Sequence, residues 1–259
     1  MSAGNERFSS QAAGWDSNPD VHLASESALQ AILATHPTLA ESKARGTAAT
    51  EGFDVLEIGC GTGLLSFRLA PYVRSIVAVD AAHGMIAALQ QKLQALAPGA
   101  DGHNITPLCL LLEDPEDQSL PPADSAEPSG PRRKFDLVTS HLVLHHIPDL
   151  AGLLRTMFGC LRPGGRVALT DFEDFGPEAR RFHAEAKMSG VERHGVNAAW
   201  FAGLMREAGF ENVEVKPAWT MQKHVERFPG EWGQKKPTGD GVVLESMEFP
   251  FLLCRGRKP

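Results

Sequence analysis

A chain of 259 residues, 42% apolar and 22% charged, is long enough for one large domain with an added lobe and apolar enough to bury a core. Its formal net charge of −7 lacks the basic excess that non-specific nucleic-acid binding requires. The four cysteines, Cys60, Cys109, Cys160 and Cys254, form no CxxC pair, so neither a disulfide framework nor a zinc ribbon is expected.

The opening stretch "MSAGNERFSS" carries no apolar leader core, and no run approaches the ~18 apolar residues of a membrane span. The expectation is a soluble cytoplasmic protein, with the nucleus as the alternative, and no membrane or nucleic-acid partner. Val21, Ala24, Ala28, Leu29, Ile32 and Leu33 predict an amphipathic helix over 21–33, and "AESKARGTAATEG" (40–52) reads as a linker. Residues 1–50 are thus set apart from a main domain over 51–259.

From residue 53 the pattern alternates. "FDVLEI" (53–58), "SIVAV" (75–79), "ITPLCLLL" (105–112), "FDLVTS" (135–140) and "RVALTD" (166–171) are continuously apolar, as strands covered on both faces are. Between them lie helical stripes: Met85, Ile86, Leu89 and Leu93, then Leu150 to Leu161 opening at Asp149 as N-cap. A third, Trp200 to Ala208, ends at Gly209. Strand–helix alternation predicts an α/β fold with a doubly wound, mostly parallel sheet. "FENVEVKPAW" (210–219) and "LESMEFPFLLCRGRKP" (244–259) have only a loop between them and are expected to pair antiparallel. Residues 115–134, rich in Pro, Ser and charge, read as a mobile surface loop.

Chemistry concentrates in "VLEIGCGTGLLS" (55–66). A strand, a glycine turn and a helix start make a cradle for a charged group at unpaired amides. A glycine turn can also be purely structural. Leu64 stands where the dinucleotide fingerprint places its third glycine, and Glu57 sits in a strand that such folds keep apolar. Asp80 closes the next strand, where it can accept from two ribose hydroxyls or simply cap the following helix.

Four ordered stretches, "VLEIGCGTG", "VAVDAAHGMI", "FDLVTSHLVLHHIPD" and "LRPGGRVALTDFED", resemble class I S-adenosylmethionine (SAM)-dependent methyltransferases, nearest the ubiquinone/menaquinone-biosynthesis group. The resemblance implies a Rossmann-like seven-stranded sheet with an antiparallel C-terminal strand, SAM as cofactor and S-adenosylhomocysteine as product. It implies that Glu57, Gly59, Cys60, Gly61 and Gly63 hold the methionine part, with backbone amides near its carboxylate. Asp80 would hold the ribose, and Ala81 or Met85 would flank the adenine. Leu111 or Glu113, with Leu112 between them, would meet the adenine edge, and Ser140 would turn its carbonyl to the ammonium. "FSSQAAGWDSNPD" is similar to a lead-in that closes over the cofactor, making residues 1–50 a helical lid and linker.

Methyl transfer to a hydroxyl or thiol needs a base, and the expected one is His141, after the fourth strand. His145, four residues on, would share its face if the segment is helical; His146 would point elsewhere and be structural. A His pair at this spacing can hold metal, but no third ligand has a position in the sequence, so no metal is expected. The stretch 171–195 resembles the acceptor wall of the group, which makes Phe182, His183, Met188 and His194 acceptor contacts, with Trp15 as a lid. The acceptor is expected to be a small molecule. Alternatives are a protein methyltransferase in a complex, docking through 115–134 and 227–243, and a SAM-binding scaffold without turnover. An NAD-dependent dehydrogenase is disfavoured by Leu64 and the reversed strand.

Overall fold

The computed structural model describes residues 3–233, 237 and 244–259. Part of the 227–243 segment expected to serve docking lies outside them. Four helices come first: α1 (Ala3–Trp15), α2 (Pro19–Thr35), α3 (Pro37–Arg45) and α4 (Ala48–Glu51). The Asn18 side chain accepts from Asp20 N and Pro19 opens α2, so both start signals coincide. The expected linker over 40–52 is mostly helical instead. Its small and charged residues hide a stripe in which only Leu39 and Ser42 of α3 are buried, and Gly46, at φ 70°, ends that helix in the left-handed region.

The main domain then runs β1 (Asp54–Ile58), α5 (Leu64–Leu69), β2 (Ser75–Asp80), α6 (His83–Gln94), β3 (Ile105–Cys109), β4 (Phe135–His141), α7 (Leu150–Cys160), β5 (Leu161–Phe172), α8 (Ala198–Glu207), β6 (Glu211–Val225) and β7 (Glu245–Arg257). The sheet order is β3-β2-β1-β4-β5-β7-β6. β7 pairs antiparallel with both β5 and β6, and the other pairings are parallel. The doubly wound sheet with one reversed C-terminal strand is therefore present.

Strand alternation covers both faces. Leu56, Val77, Phe135 and Val138 join Leu154, Met157 and Phe201 of α7 and α8 on one side. Val55, Ile76 and Leu137 join Leu29, Ile32, Leu65 and Leu89 of α2, α5 and α6 on the other. Each such side chain contributes about 1.5–3 kcal/mol by leaving water. Asp149 caps α7 through its bond from Gly152 N, and Asn197 caps α8 from Trp200 N. β3 is shorter than the apolar run 105–112, because after Cys109 the chain leaves the sheet, with Leu110 N donating to Asp80 O.

The 115–134 segment is not an unanchored loop. Arg132 is buried within it, and its guanidinium donates to the carbonyls of Leu120, Pro128 and Gly130. Leu120 of the segment is buried in the main core, and this internal cation gathers the turns around it.

Candidate active site

The C-terminal ends of β1, β2 and β4 open on a cavity of about 1350 Å³. Its wall takes Phe8 and Trp15 from α1, the glycine turn, Asp80, the chain from Cys109 to Glu113, and His141 to Val143. Ligands of open α/β sheets bind at this edge.

The three glycines all have positive φ: 75° at Gly59, 54° at Gly61 and 83° at Gly63. Their roles differ. A Cβ on Gly59 would stand 2.3 Å from Val143 Cγ2, and one on Gly63 2.6 Å from Leu89 Cδ1. A Cβ on Gly61 would meet nothing within 4 Å. Gly59 and Gly63 thus serve packing, and Gly61 keeps the cavity floor bare. Gly63 does not line the cavity, a correction to the expected turn of ligand contacts. Nor are the amides of this stretch free: Gly59 and Cys60 N donate to Val79 O at 2.7 and 3.0 Å, and Gly61 N donates to Asp80 Oδ2 at 2.8 Å. The sheet and Asp80 use them to fix the turn.

Glu57 is 1% exposed and lines the cavity. Burial pushes its carboxyl up to about 7, against the bond from Ser66 Oγ and with the nearby Asp80 charge adding to the rise. That bond is 2.5 Å long. Asp80 accepts from Gly61 N through Oδ2 and from Ala82 N through Oδ1 at 2.7 Å. It therefore both starts α6 and holds the turn, and each oxygen keeps a lone pair for a ligand. Burial raises its carboxyl too, against those two amide bonds. Cys60, Ala81, Met85, Leu112 and Glu113 line the cavity, as does Leu111, 59% exposed. Burial pushes the Cys60 thiol well up, which removes it as a nucleophile.

The N-terminal segment closes one side. Asp16 accepts from Thr62 Oγ1 at 2.5 Å and pairs with Lys92 Nζ at 2.6 Å, tying the end of α1 to the turn and to α6. Gly84 allows the close approach: a Cβ there would lie 2.4 Å from Ser9 O. Phe8 and Trp15 meet edge to face at 5.9 Å.

His141 lines the cavity with Nδ1 2.9 Å from Thr170 Oγ1. The Thr170 hydroxyl donates to Ser140 O at 3.5 Å, so its oxygen accepts from Nδ1–H and the lone pair falls on Nε2. That Nε2 is buried without a protein partner. Burial lowers the imidazole to about 4, Asp171 opposing. Ser140 is corrected: it does not line the cavity, its hydroxyl bonds Ile58 O at 2.7 Å, and its carbonyl faces Thr170.

The two following histidines exchange their expected places. His141 ends β4, and Leu144–His146 form a single 3₁₀ turn, so no helical face joins His141 to His145. His145 is buried behind the wall, its Nδ1 2.8 Å from Asp171 Oδ1. His146 lines the cavity, its Nδ1 donating to Gly190 O at 2.6 Å, and burial lowers it to about 3. Phe182, His183, Met188 and His194 do not line the cavity. Phe182 stacks on Phe172 at 4.1 Å as core. His183 packs behind the wall, 5.0 Å from the His145 ring. What the 171–195 stretch offers the cavity is Gly190 and Glu192. Sequence reasoning missed Phe8, Thr62, Val143 and His146. For Val143 the signal was the side chain that Gly59 makes room for; for Thr62 it was an Asp16 that nothing local explains.

Residues 22–215 match the family model described as methyltransferase domain. An uncharacterised methyltransferase of Schizosaccharomyces pombe is 27% identical over 63% of this chain and 55% of its own length. The 27-O-demethylrifamycin SV methyltransferase of Amycolatopsis mediterranei is 30% identical over 69% of this chain and 63% of its own. The chain thus spans less than two thirds of these curated relatives. Among solved structures, the magnesium protoporphyrin IX methyltransferase of Synechocystis, with bound SAM, superposes with a TM-score of 0.52 at 15% identity, covering 93% of this chain and 83% of that one. Glycine turn, strand-end carboxylates, reversed last strand and family match agree: the chain belongs to the methyltransferase domain family, with the class I fold.

Proposed function

We propose that this chain transfers a methyl group from SAM to a nucleophilic atom of a small-molecule acceptor. The observation that carries the reading is the bare floor at Gly61 flanked by two carboxylates, the buried Glu57 and the half-buried Asp80, at one end of a large cavity. These residues fit the cofactor: Glu57 offers a negative charge to an ammonium, Asp80 keeps two acceptor lone pairs for hydroxyls, and Gly61 leaves room that any side chain would fill. When bound, SAM supplies an electrophilic methyl group on a cationic sulfur.

The chain's own contribution is alignment and dryness. Ala81, Met85 and Leu111–Glu113 make the apolar and polar rim in which an adenine would sit. About 1350 Å³ exceeds the ~300–1,000 Å³ typical of single-ligand pockets, which leaves space for an acceptor beside the cofactor. Phe8 and Trp15 roof that space, and excluding water raises acceptor reactivity. Fixing two reactants in line is worth up to ~7–11 kcal/mol in ideal cases. His141, neutral at pH 7, would take a hydrogen bond on Nε2 from an acceptor O–H or N–H and orient it. At about 4 it is a weaker base than the sequence reading assumed. The roofed cavity favours a small molecule over a protein side chain. Among the described residues no helix is long and apolar enough to cross a membrane.

Calorimetry with SAM and S-adenosylhomocysteine, followed by transfer of labelled methyl into metabolite and protein fractions, tests this. Failure to bind either ligand sinks the reading. Binding with no acceptor in either fraction favours a scaffold.

A further inference from the structure

Behind the cavity wall lies a group of side chains that methyl transfer does not use. One ligand atom each from His145, His146 and His183 lies within 4.8 Å of the others. Two of the three are already oriented. Only a carboxylate meets His145 Nδ1, at 2.8 and 2.9 Å from the Asp171 oxygens, so Nδ1 carries a proton and Nε2 is the ring nitrogen left open to a ligand. That Nε2 is buried and unpartnered in a residue that is 1% exposed. Only a carbonyl, Gly190 O, meets His146 Nδ1, so its lone pair falls on Nε2. A histidine donating one ring N–H to a carboxylate or carbonyl while its other nitrogen stays bare is the usual second shell of a metal site.

We propose that His145, His146 and His183 form a three-histidine site for a divalent transition metal, zinc above all, with Asp171 and Gly190 O as its outer shell. Imidazole donors suit zinc, and three protein ligands with a fourth position open are the common arrangement of its catalytic sites. Zn–N bonds of about 2.0–2.1 Å in a tetrahedron put ligand nitrogens roughly 3.3 Å apart, so the rings close by about 1.5 Å on the ion. Phe172, Phe182 and Phe8 surround the rings and keep the site dry. Asp171 supplies the nearby negative charge, opposed by Arg7 and Lys223, which both act on His183. His146 belongs to this site and to the cavity wall at once, so the ion would sit at the acceptor end. There it would bind an oxygen of the acceptor and lower the pKa of a hydroxyl, the task that His141 performs poorly.

The test is titration of the metal-stripped full chain with Co(II), followed by its visible absorption, with inductively coupled plasma analysis of the chain as purified. The wild type is expected to take one Co(II) with the strong bands of tetrahedral nitrogen coordination, and Zn(II) to displace it. His183→Ala and the bulkier His183→Gln should both lose the bands, whereas His103→Ala, at an exposed histidine remote from the cluster, should keep them. Zn(II) should raise the melting temperature of the wild type and not of His183→Gln. No tetrahedral band in the wild type overturns the proposal, and so does a band that survives in both His183 variants. Binding does not depend on SAM, so these results stand apart from those of the methyl-transfer assay.

Discussion

Replacing Glu57 by Gln separates the carboxylate's effect on stability from its effect on binding. Glu57 sits at the end of β1 with 1% of its surface exposed, and burial lifts its pKa from 4.5 to about 7. A folded-state pKa above the unfolded value means that the folded chain holds the extra proton between these limits. The contribution of Glu57 to stability is therefore greatest below pH 4.5, declines as pH rises to 7, and stays at its lower level above. The rise of roughly 2.5 units corresponds to about 3 kcal/mol at full ionisation. The Gln variant lacks this dependence. Whatever constant offset its amide brings, the difference between wild type and variant should move by about 3 kcal/mol between pH 4.5 and 8. For a domain of this size that is roughly 6–12 °C in melting temperature, readable by scanning calorimetry without ligand. Binding should run the other way. An ammonium pairs with the ionised carboxyl, so S-adenosylhomocysteine affinity of the wild type should climb up to tenfold per pH unit toward 7, then level off. In the variant it should be weak and flat. Parallel melting curves for the two proteins, or equal ligand affinity at pH 7.5, would refute the reasoning.

Four further substitutions probe the neighbouring parts. Gly61→Ala should fold, at a backbone cost of about 1–2 kcal/mol for its φ of 54°, and lose at least tenfold in S-adenosylhomocysteine affinity, because its Cβ enters the open floor. Gly63→Ala should do the reverse, lowering the melting temperature through Leu89 while the folded fraction binds normally; calorimetry that shows the opposite ranking contradicts the assignment. Asp80→Ala releases the amides of Gly61 and Ala82 and should weaken SAM binding by about 1–3 kcal/mol, and unchanged affinity would remove Asp80 from the site. Asp16→Ala severs the ties to Thr62 and Lys92. Because the ion pair is partly exposed it should cost under about 1 kcal/mol globally, yet limited proteolysis before residue 18 should quicken, and an unchanged cleavage rate would show that α1 is held by packing alone.

What the sequence made legible was whatever local period and local chemistry determine. Continuous apolar runs placed β1, β2 and β4 within a residue or two, and Asp149 and Gly209 bounded their helices. Glu57 and Asp80 stood out because a charge at a covered strand end needs a reason. The misreadings came where side-chain direction depends on backbone that no period reveals. His145 and His146 were assigned by helical spacing, but Leu142 at φ 56° turns the chain sharply after His141, and one 3₁₀ turn then swaps which ring faces the cavity. α3 escaped notice because it buries almost nothing apolar, and the 115–134 segment because a single buried Arg132 gathers its turns. His183 could not be joined to His145 from sequence: the contact depends on how the chain after β5 folds back, through backbone bonds from Glu192 and Arg193 to His145 O.

Among the described residues seven buried side-chain polar atoms lack a partner, and those of His36, Thr47 and Trp219 belong to residues that do not line the cavity. In the middle of the sheet Thr139 bonds Ala168 O and Ser140 bonds Ile58 O, so buried hydroxyls there are satisfied. At the ends of β4 and β5, His141 Nε2 and His145 Nε2 are buried with no partner, and Leu142 occupies a backbone region costly for a branched side chain. An unmade buried hydrogen bond costs about 1–3 kcal/mol, so two imidazoles left so within five residues of each other call for a reason. On the β1 and β2 side, Glu57 adds a carboxyl whose charged form the fold itself disfavours. These groups share one property: each would become favourable on meeting the ligand proposed for it, an ammonium at Glu57, a donor at His141, a metal ion at His145. Folding alone leaves them costly, and that cost is the physical ground for proposing the chemistry at this edge of the sheet.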